Sequence, residues 1–113
     1  MWEKMMKKIT RRGYFRTINN KDINMAELSN IKKKGAVLID VRSPQEFAEG
    51  HLEGAILLPD YEVFPKIESI LPDKEETIIL YCSSGNRSKR VQEKMNNLGY
   101  INVYNLEGGL EGY

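Results

Sequence analysis

The residues best suited to chemistry lie in one short segment, 82–88, with the sequence Cys-Ser-Ser-Gly-Asn-Arg-Ser. It holds the single cysteine of the 113-residue chain, follows a strongly apolar run and precedes a helical pattern. Small residues and Gly85 allow the backbone to curl with several N–H groups pointing inward. The helix that follows adds unpaired N–H groups, and Arg87 adds a permanent cation. We therefore expect a nest for one small anion, with Cys82 at its base.

Such an environment favours the thiolate of Cys82 over the thiol, because every part of it stabilises negative charge. The thiolate is the reactive form of cysteine, and the same nest would stabilise a persulfide anion or charge developing on a sulfur donor. Two plainer interpretations stay open at this point. A lone cysteine is often a buried core residue, and a Ser-Gly-Asn stretch between a strand and a helix is also an ordinary turn.

Five apolar or β-branched runs predict strands, at residues 14–18, 36–41, 55–58, 77–82 and 101–104. The second run is almost continuously apolar, which is typical of a strand buried on both faces of a parallel sheet. Helical patterns lie between the runs, and this alternation predicts an α/β fold. We expect a small, doubly wound and mainly parallel five-stranded sheet flanked by helices, with ligands beyond the carboxyl ends of its strands.

Capping signals predict where the first two helices begin. Asn24 and Glu27 have the spacing of a capping box, and the helix that follows should run to about residue 34 and end at Gly35. Ser43, with proline at the first helical position and Glu46 at the third, has the same pattern. This second helix should be short, because a glycine follows within a few residues.

Two further helices are predicted from apolar spacing. The first covers residues 63–70, and we expect Pro65 to lie in its first turn, where a missing N–H is tolerated. The second begins in segment 82–88 and has one apolar face, with Gly99 as its C-terminal cap. This helix would direct its N-terminal N–H groups toward Cys82.

Composition limits the possible functions. Hydrophobic residues make up 41% of the chain and charged residues 29%, as in folded domains. A net charge of +1 gives no case for binding nucleic acid or an acidic membrane. One cysteine excludes an internal disulfide, a cysteine zinc site and a Cys-x-x-Cys redox pair. We predict no cofactor and no metal, and we expect a cytoplasmic protein, because a lone thiol suits a reducing compartment.

Four short motifs resemble one known family. Asp-Val-Arg at residues 40–42 resembles its first signature, and Glu-Phe at 46–47 with Gly-His-Leu-Glu-Gly-Ala at 50–55 resembles its second. Residues 81–88 are similar to its active-site loop, and Leu-Glu-Gly-Gly at 106–109 resembles a glycine pair near its C-terminus. The chain therefore resembles the rhodanese domain, in its single-domain form. We assign residues 18–113 to this rhodanese-like domain and residues 1–17 to a basic N-terminal extension that could be flexible.

The resemblance implies a sulfurtransferase with Cys82 as its catalytic residue. Cys82 would take the outer sulfur of a donor such as thiosulfate, a persulfide or a polysulfide, and a cyanide or thiol acceptor, including a protein thiol, would then remove it. Asp40 and Arg42 would support the loop without taking part in the chemistry. The substrate-binding residues implied are Ser83, Ser84, Gly85, Asn86, Arg87 and Ser88. Neither nucleic acid nor a membrane is an expected partner.

Two positions modify this expectation. His51 could serve as a base for Cys82, but the matching histidine of the family belongs to a structural signature, and we expect a structural role here. Ser83 stands where many family members carry a basic residue. Because a missing charge weakens attraction for a dianion, poor use of thiosulfate or a different physiological donor is expected.

Two alternative functions are weighed against this one. Cysteine phosphatases and arsenate reductases also use a loop between cysteine and arginine, but four residues separate Cys82 from Arg87 here, whereas the phosphatase pattern has five. The other alternative is a non-enzymatic sulfur carrier or interaction module. A persulfide on Cys82 would serve either an enzyme or a carrier, and discharge would need an external acceptor because the chain has no second cysteine.

Overall fold

The computed structural model describes residues 21–113 and, before them, the backbone of strands β1 (Lys7–Ile9) and β2 (Phe15–Thr17). These two strands pair antiparallel in a small sheet of their own. The remaining elements are β3 (Asp22–Ile23), α1 (Met25–Lys33), β4 (Val37–Asp40), α2 (Pro44–Glu49), β5 (Ile56–Leu57), α3 (Asp60–Ile70), β6 (Ile78–Tyr81), α4 (Asn86–Asn97), β7 (Val103–Leu106) and a short 3₁₀ helix, Leu110–Gly112.

Strands β3 to β7 form the main sheet, in the order β3-β7-β6-β4-β5, and every neighbouring pair is parallel. The four helices α1 to α4 flank this sheet. The predicted doubly wound α/β fold with five parallel strands is therefore confirmed. Among the residues that the structure describes, no helix is both long and apolar enough to cross a membrane.

Successive side chains of the central strands enter two separate cores, because side chains alternate between the faces of a sheet. Ile78 and Leu80 of β6 pack with residues of α3 and α4 on one face. Ile79 and Tyr81 of the same strand pack with Leu28 of α1 on the other face. All four residues of β6 are buried, as expected for a parallel strand covered on both faces. Cys82 follows β6 and belongs to the core on the α3 and α4 side.

Both predicted capping boxes are present. The Asn24 side chain accepts a hydrogen bond from the backbone N–H of Glu27, whose carboxylate accepts one from the N–H of Asn24. Ser43 and Glu46 make the same reciprocal pair at the start of α2. These motifs depend on residues three apart in the chain, so the local sequence determines them.

Three predicted element positions were wrong. Residues 15–17 do form a strand, but it belongs to the small N-terminal sheet, and the edge strand of the main sheet is β3. The last strand is Val103–Leu106 instead of 101–104. Helix α3 begins at Asp60, directly after Pro59, so Pro65 lies in its second turn. The remaining N-terminal residues, on which most of the predicted extension falls, lie outside the described part of the chain.

Candidate active site

The loop between β6 and α4 surrounds the sulfur of Cys82 with hydrogen-bond donors. Cys82 Sγ lies 3.0 Å from the backbone nitrogen of Gly85, 3.5 Å from that of Ser88 and 3.3 Å from the Ser88 hydroxyl oxygen. Gly85 has φ of +97°, a left-handed conformation that suits glycine. The chain therefore turns sharply at Gly85, and its N–H and that of Ser88 in the first turn of α4 both point at one sulfur.

Burial and hydrogen bonding act in opposite directions on the pKa of Cys82. Burial raises the pKa and is the largest single effect, since the thiolate loses its hydration. Hydrogen bonds from the Ser88 hydroxyl and from the backbone N–H groups of Ser88, Gly85 and Arg87 lower it, and together they outweigh burial. The net result is a pKa below that of an ordinary cysteine, so the loop favours the thiolate.

The C-terminal residues hold the loop from outside. The backbone carbonyl of Cys82 accepts a hydrogen bond of 3.0 Å from the N–H of Leu110, and that of Ser83 accepts one of 2.8 Å from the N–H of Glu111. Gly109 permits this close approach, because a Cβ at that position would lie 2.4 Å from the carbonyl oxygen of Ser83. These contacts fix the orientation of two peptide groups at the base of the nest.

Arg87 does not point freely into the nest. Its guanidinium forms a bidentate ion pair with Glu46 of α2, at 2.7 and 2.9 Å. Hydrogen bonding to Arg87 is the main reason that the pKa of Glu46 falls far below its ordinary value. The same pairing raises the pKa of Arg87. Two charges are therefore held together beside the loop, each about one-third exposed.

Asp40 and Arg42 lie at the end of the neighbouring strand β4 and form a buried ion pair at 2.8 Å. Arg42 also donates to the carbonyl of Gly50, so the pair connects β4 to the end of α2. The Arg42 guanidinium lies 5.8 Å from the centre of the Tyr81 ring. This geometry anchors the loops around the sheet edge on which Cys82 lies.

The contacts of His51 are with Phe47 in α2. Its ring stacks on Phe47 with a centroid distance of 3.6 Å, and its Nδ1 lies 2.8 Å from the Phe47 carbonyl oxygen. The side chain is exposed. These contacts hold the turn after α2 and bring no base to Cys82.

The predicted substrate-binding residues fall into three groups by exposure. Gly85 and Ser88 are buried with Cys82, whose exposed fraction is 0%, while Ser83 and Arg87 are half-buried. Ser84 and Asn86 are exposed on the outer side of the loop. Within residues 21–113, no cluster of three or more His, Cys, Asp or Glu side chains is placed to hold a metal ion.

Sequence reasoning missed Glu46 and Asn105 as parts of the site. Glu46 was identified only as a helix cap and a signature residue, although one cap contact leaves a carboxylate oxygen free for another partner. Asn105 lies in β7, is buried, and contacts the Ser88 hydroxyl through its Oδ1. A polar residue in a buried strand would have been the signal, but the predicted strand ended at residue 104.

Comparison with known proteins agrees with this geometry. The family model described as Rhodanese-like domain matches residues 24–113. Thiosulfate sulfurtransferase PspE of Escherichia coli is 40% identical over 73 residues, which cover 65% of this chain and 69% of that protein. Thiosulfate sulfurtransferase GlpE of Pseudomonas putida is 36% identical over 80 residues, covering 71% of each chain.

A solved structure extends the likeness to the fold. The rhodanese-related protein of Thermoplasma volcanium superimposes with a TM-score of 0.71 at 32% identity, covering 81% of this chain and 88% of that one. The matched residues include β4, β6, the Cys82 loop and α4, which the family model spans. The chain therefore belongs to the rhodanese-like domain family.

Proposed function

We propose that this sulfurtransferase carries its sulfur as a persulfide on Cys82. The thiolate attacks the outer sulfur of a donor, a new S–S bond forms at Sγ, and the donor's own bond to that sulfur breaks. With thiosulfate, the leaving group is sulfite. A cyanide ion or a thiolate then attacks the outer sulfur of the persulfide, and Cys82 leaves as a thiolate again.

The observation that carries this proposal is the convergence of two backbone N–H groups, from Gly85 and Ser88, on one sulfur. Donors fixed in this way stabilise negative charge without reorganising during the reaction. They would serve the resting thiolate, and a persulfide anion could be bound by neighbouring donors of residues 83–88. No side-chain base is required, because the pKa of Cys82 is already lowered.

Access to the sulfur requires movement. Cys82 has no exposed surface in this conformation, so a donor must displace part of the loop or the side chains beside it. Loops at active sites commonly move in this way on binding.

Discharge needs an external acceptor, because the chain has no second cysteine. Thiosulfate is the donor named for the PspE and GlpE relatives, and we include it with persulfides as a candidate here. The acceptor is a small thiol, a protein thiol or cyanide. A lone reactive thiol suits a reducing compartment, so we place the reaction in the cytoplasm.

The test is intact-protein mass spectrometry after incubation with thiosulfate or a polysulfide. We expect a species heavier by one sulfur atom, which cyanide removes, in the wild type and not in Cys82→Ala. Turnover with small acceptors would identify an enzyme, whereas discharge only onto a protein thiol would identify a carrier. An unchanged mass with every donor would contradict the persulfide mechanism.

A further inference from the structure

Arg87 is the cationic residue of segment 82–88. Its guanidinium already binds a carboxylate of the same chain. Its two terminal nitrogens each donate to one oxygen of Glu46, at 2.7 and 2.9 Å. This bidentate geometry is the one in which arginine binds carboxylate and other oxyanions most strongly. An incoming oxyanion that binds this end of the guanidinium would therefore compete with Glu46 for the same two nitrogens.

Glu46 is held in place independently of Arg87. One carboxylate oxygen accepts the backbone N–H of Ser43 at 3.0 Å, as part of the capping box of α2, and the other accepts the hydroxyl of Ser83 at 3.1 Å. Each oxygen thus has a second donor. Because these contacts fix the carboxylate before Arg87 binds, little conformational entropy is lost when the pair forms.

The pair changes which donors the site can attract. Thiosulfate is a dianion whose sulfonate oxygens match a guanidinium fork, but Glu46 already occupies the fork formed by the two terminal nitrogens of Arg87 and neutralises its charge. Ser83 adds no charge. An organic persulfide needs neither, because its reacting end is a sulfur chain without oxygens, and it requires only the N–H groups that face Cys82.

We propose that Glu46 is a specificity-determining residue, which occupies Arg87, disfavours oxyanion donors and leaves the site to persulfides and polysulfides. This inference rests on the proposed persulfide mechanism. The Cys82 thiolate attacks the outer sulfur of R–S–SH, the new S–S bond forms at Sγ, and R–S⁻ departs with the electrons of the broken bond. The proton stays on the transferred sulfur, so no oxidant or reductant is consumed.

The test compares two donors on Glu46→Gln. Glutamine keeps the capping-box acceptor but removes the charge that neutralises Arg87. The rate of sulfur loading is measured by mass spectrometry with thiosulfate and with 2-hydroxyethyl persulfide, whose organic part is uncharged. Loading from thiosulfate should rise about tenfold, as expected for unmasking one partly screened charge beside a dianion, and loading from the persulfide should change less than about twofold.

Two controls make the result specific. Glu49→Gln removes the same charge from an exposed position on the same helix and should leave both rates unchanged. Adding Arg87→Met to Glu46→Gln should abolish the gain with thiosulfate, since the gain depends on the freed guanidinium. High salt should reduce the gain as well.

The possible results distinguish a failure of the specificity role of Glu46 from a failure of the persulfide mechanism. If the wild type loads sulfur but Glu46→Gln leaves the ratio of the two rates unchanged, or slows thiosulfate, Glu46 holds the loop only and the specificity role is wrong. If the wild type loads sulfur from neither donor, the persulfide mechanism itself fails. Thermal unfolding of each variant shows that a change in rate is not a loss of folded protein.

Discussion

At the scale of single residues, the Ser88 hydroxyl is a contact of Cys82 for which other acceptors compete. It lies 3.3 Å from Sγ, 3.3 Å from the carbonyl oxygen of Gly85, and close to Oδ1 of Asn105. A hydroxyl has one proton to donate, so these three acceptors compete. The amide of Asn105 is oriented by Asp22, to which its nitrogen donates at 3.2 Å.

We expect Ser88→Ala to raise the pKa of Cys82, because the hydroxyl stabilises the thiolate and its loss leaves only backbone N–H groups to oppose the effect of burial. The pH dependence of alkylation by iodoacetamide should shift to higher pH. Ser69→Ala, at an exposed position, should leave it unchanged. A shift to lower pH would contradict this prediction and would mean that Ser88 accepts the thiol proton while donating to Asn105.

Ser83 gives a second prediction at this scale. Its hydroxyl donates to Glu46 at 3.1 Å and lies 3.3 Å from the Arg87 guanidinium, so Ser83→Arg would place a second cation beside this pair. Turnover with thiosulfate should rise about threefold or more at low salt and less at high salt. Ser69→Arg adds the same charge elsewhere and should have no such effect. Equal or slower turnover in Ser83→Arg would refute the electrostatic explanation.

At the scale of elements, Glu46 connects the first turn of α2 to the loop after β6. Its pKa is lowered mainly by the hydrogen bond from Arg87, so it binds a proton less readily in the folded than in the unfolded protein. Its contribution to stability is therefore complete above its ordinary pKa of 4.5 and is lost as the pH falls toward the lower folded value.

We expect Glu46→Gln to reduce the free energy of unfolding near pH 7 by about 1 kcal/mol or less, because the pair is partly exposed. The difference from wild type should shrink as the pH falls below about 4.5, the value at which an unfolded glutamate takes up its proton. Urea unfolding at pH 7 and at pH 3 measures it, with Glu49→Gln as the control for loss of charge from α2. An equal difference at both pH values would contradict the assignment.

The elements also show what sequence can predict. Both capping boxes were predicted because they join residues three apart, and β6 was predicted because a fully buried strand is apolar throughout. The edge strand β3 was missed because two residues are too few to show a period. Pro65 was misplaced because α3 begins earlier than predicted, directly after Pro59. The N–H of Asp60 bonds to the carbonyl of Val41 at the end of β4. The local sequence does not reveal this distant partner.

The candidate site followed the same division. The position of Cys82 at a strand end and the curl at Gly85 follow from local pattern. The capture of Arg87 by Glu46 did not, since it joins residues 41 positions apart. Neither did the burial of Cys82, which packs in the core shared with α3 and α4 while Leu110 bonds to its backbone carbonyl.

At the scale of the whole molecule, Gly109 joins the C-terminus to the active-site loop. Its φ is +62°, and an added Cβ would meet the carbonyl oxygens of Ser83 and Cys82 at 2.4 and 2.5 Å. Gly109→Ala should therefore cost about 3 kcal/mol or more in unfolding free energy, from backbone strain together with a clash against backbone atoms. Urea unfolding would measure this loss.

Gly35→Ala is the matched control. Gly35 also has a positive φ, +102°, but a Cβ there would meet no atom within 4 Å. Only backbone strain applies, so the loss should be about 1–2 kcal/mol. Equal losses in the two variants would show that the contact between Gly109 and the loop does not matter for stability.

Because Glu46 completes the capping box of α2 and also binds Arg87, the helix and the sulfur loop share one carboxylate. An oxyanion that displaces Glu46 from Arg87 leaves the capping box in place but removes the contact that ties the first turn of α2 to the loop, so this turn opens more often. Binding of an oxyanion donor beside Cys82 should therefore speed amide hydrogen exchange in the first turn of α2. That turn precedes Arg87 by about 40 residues, because Glu46 and Arg87 are 41 positions apart.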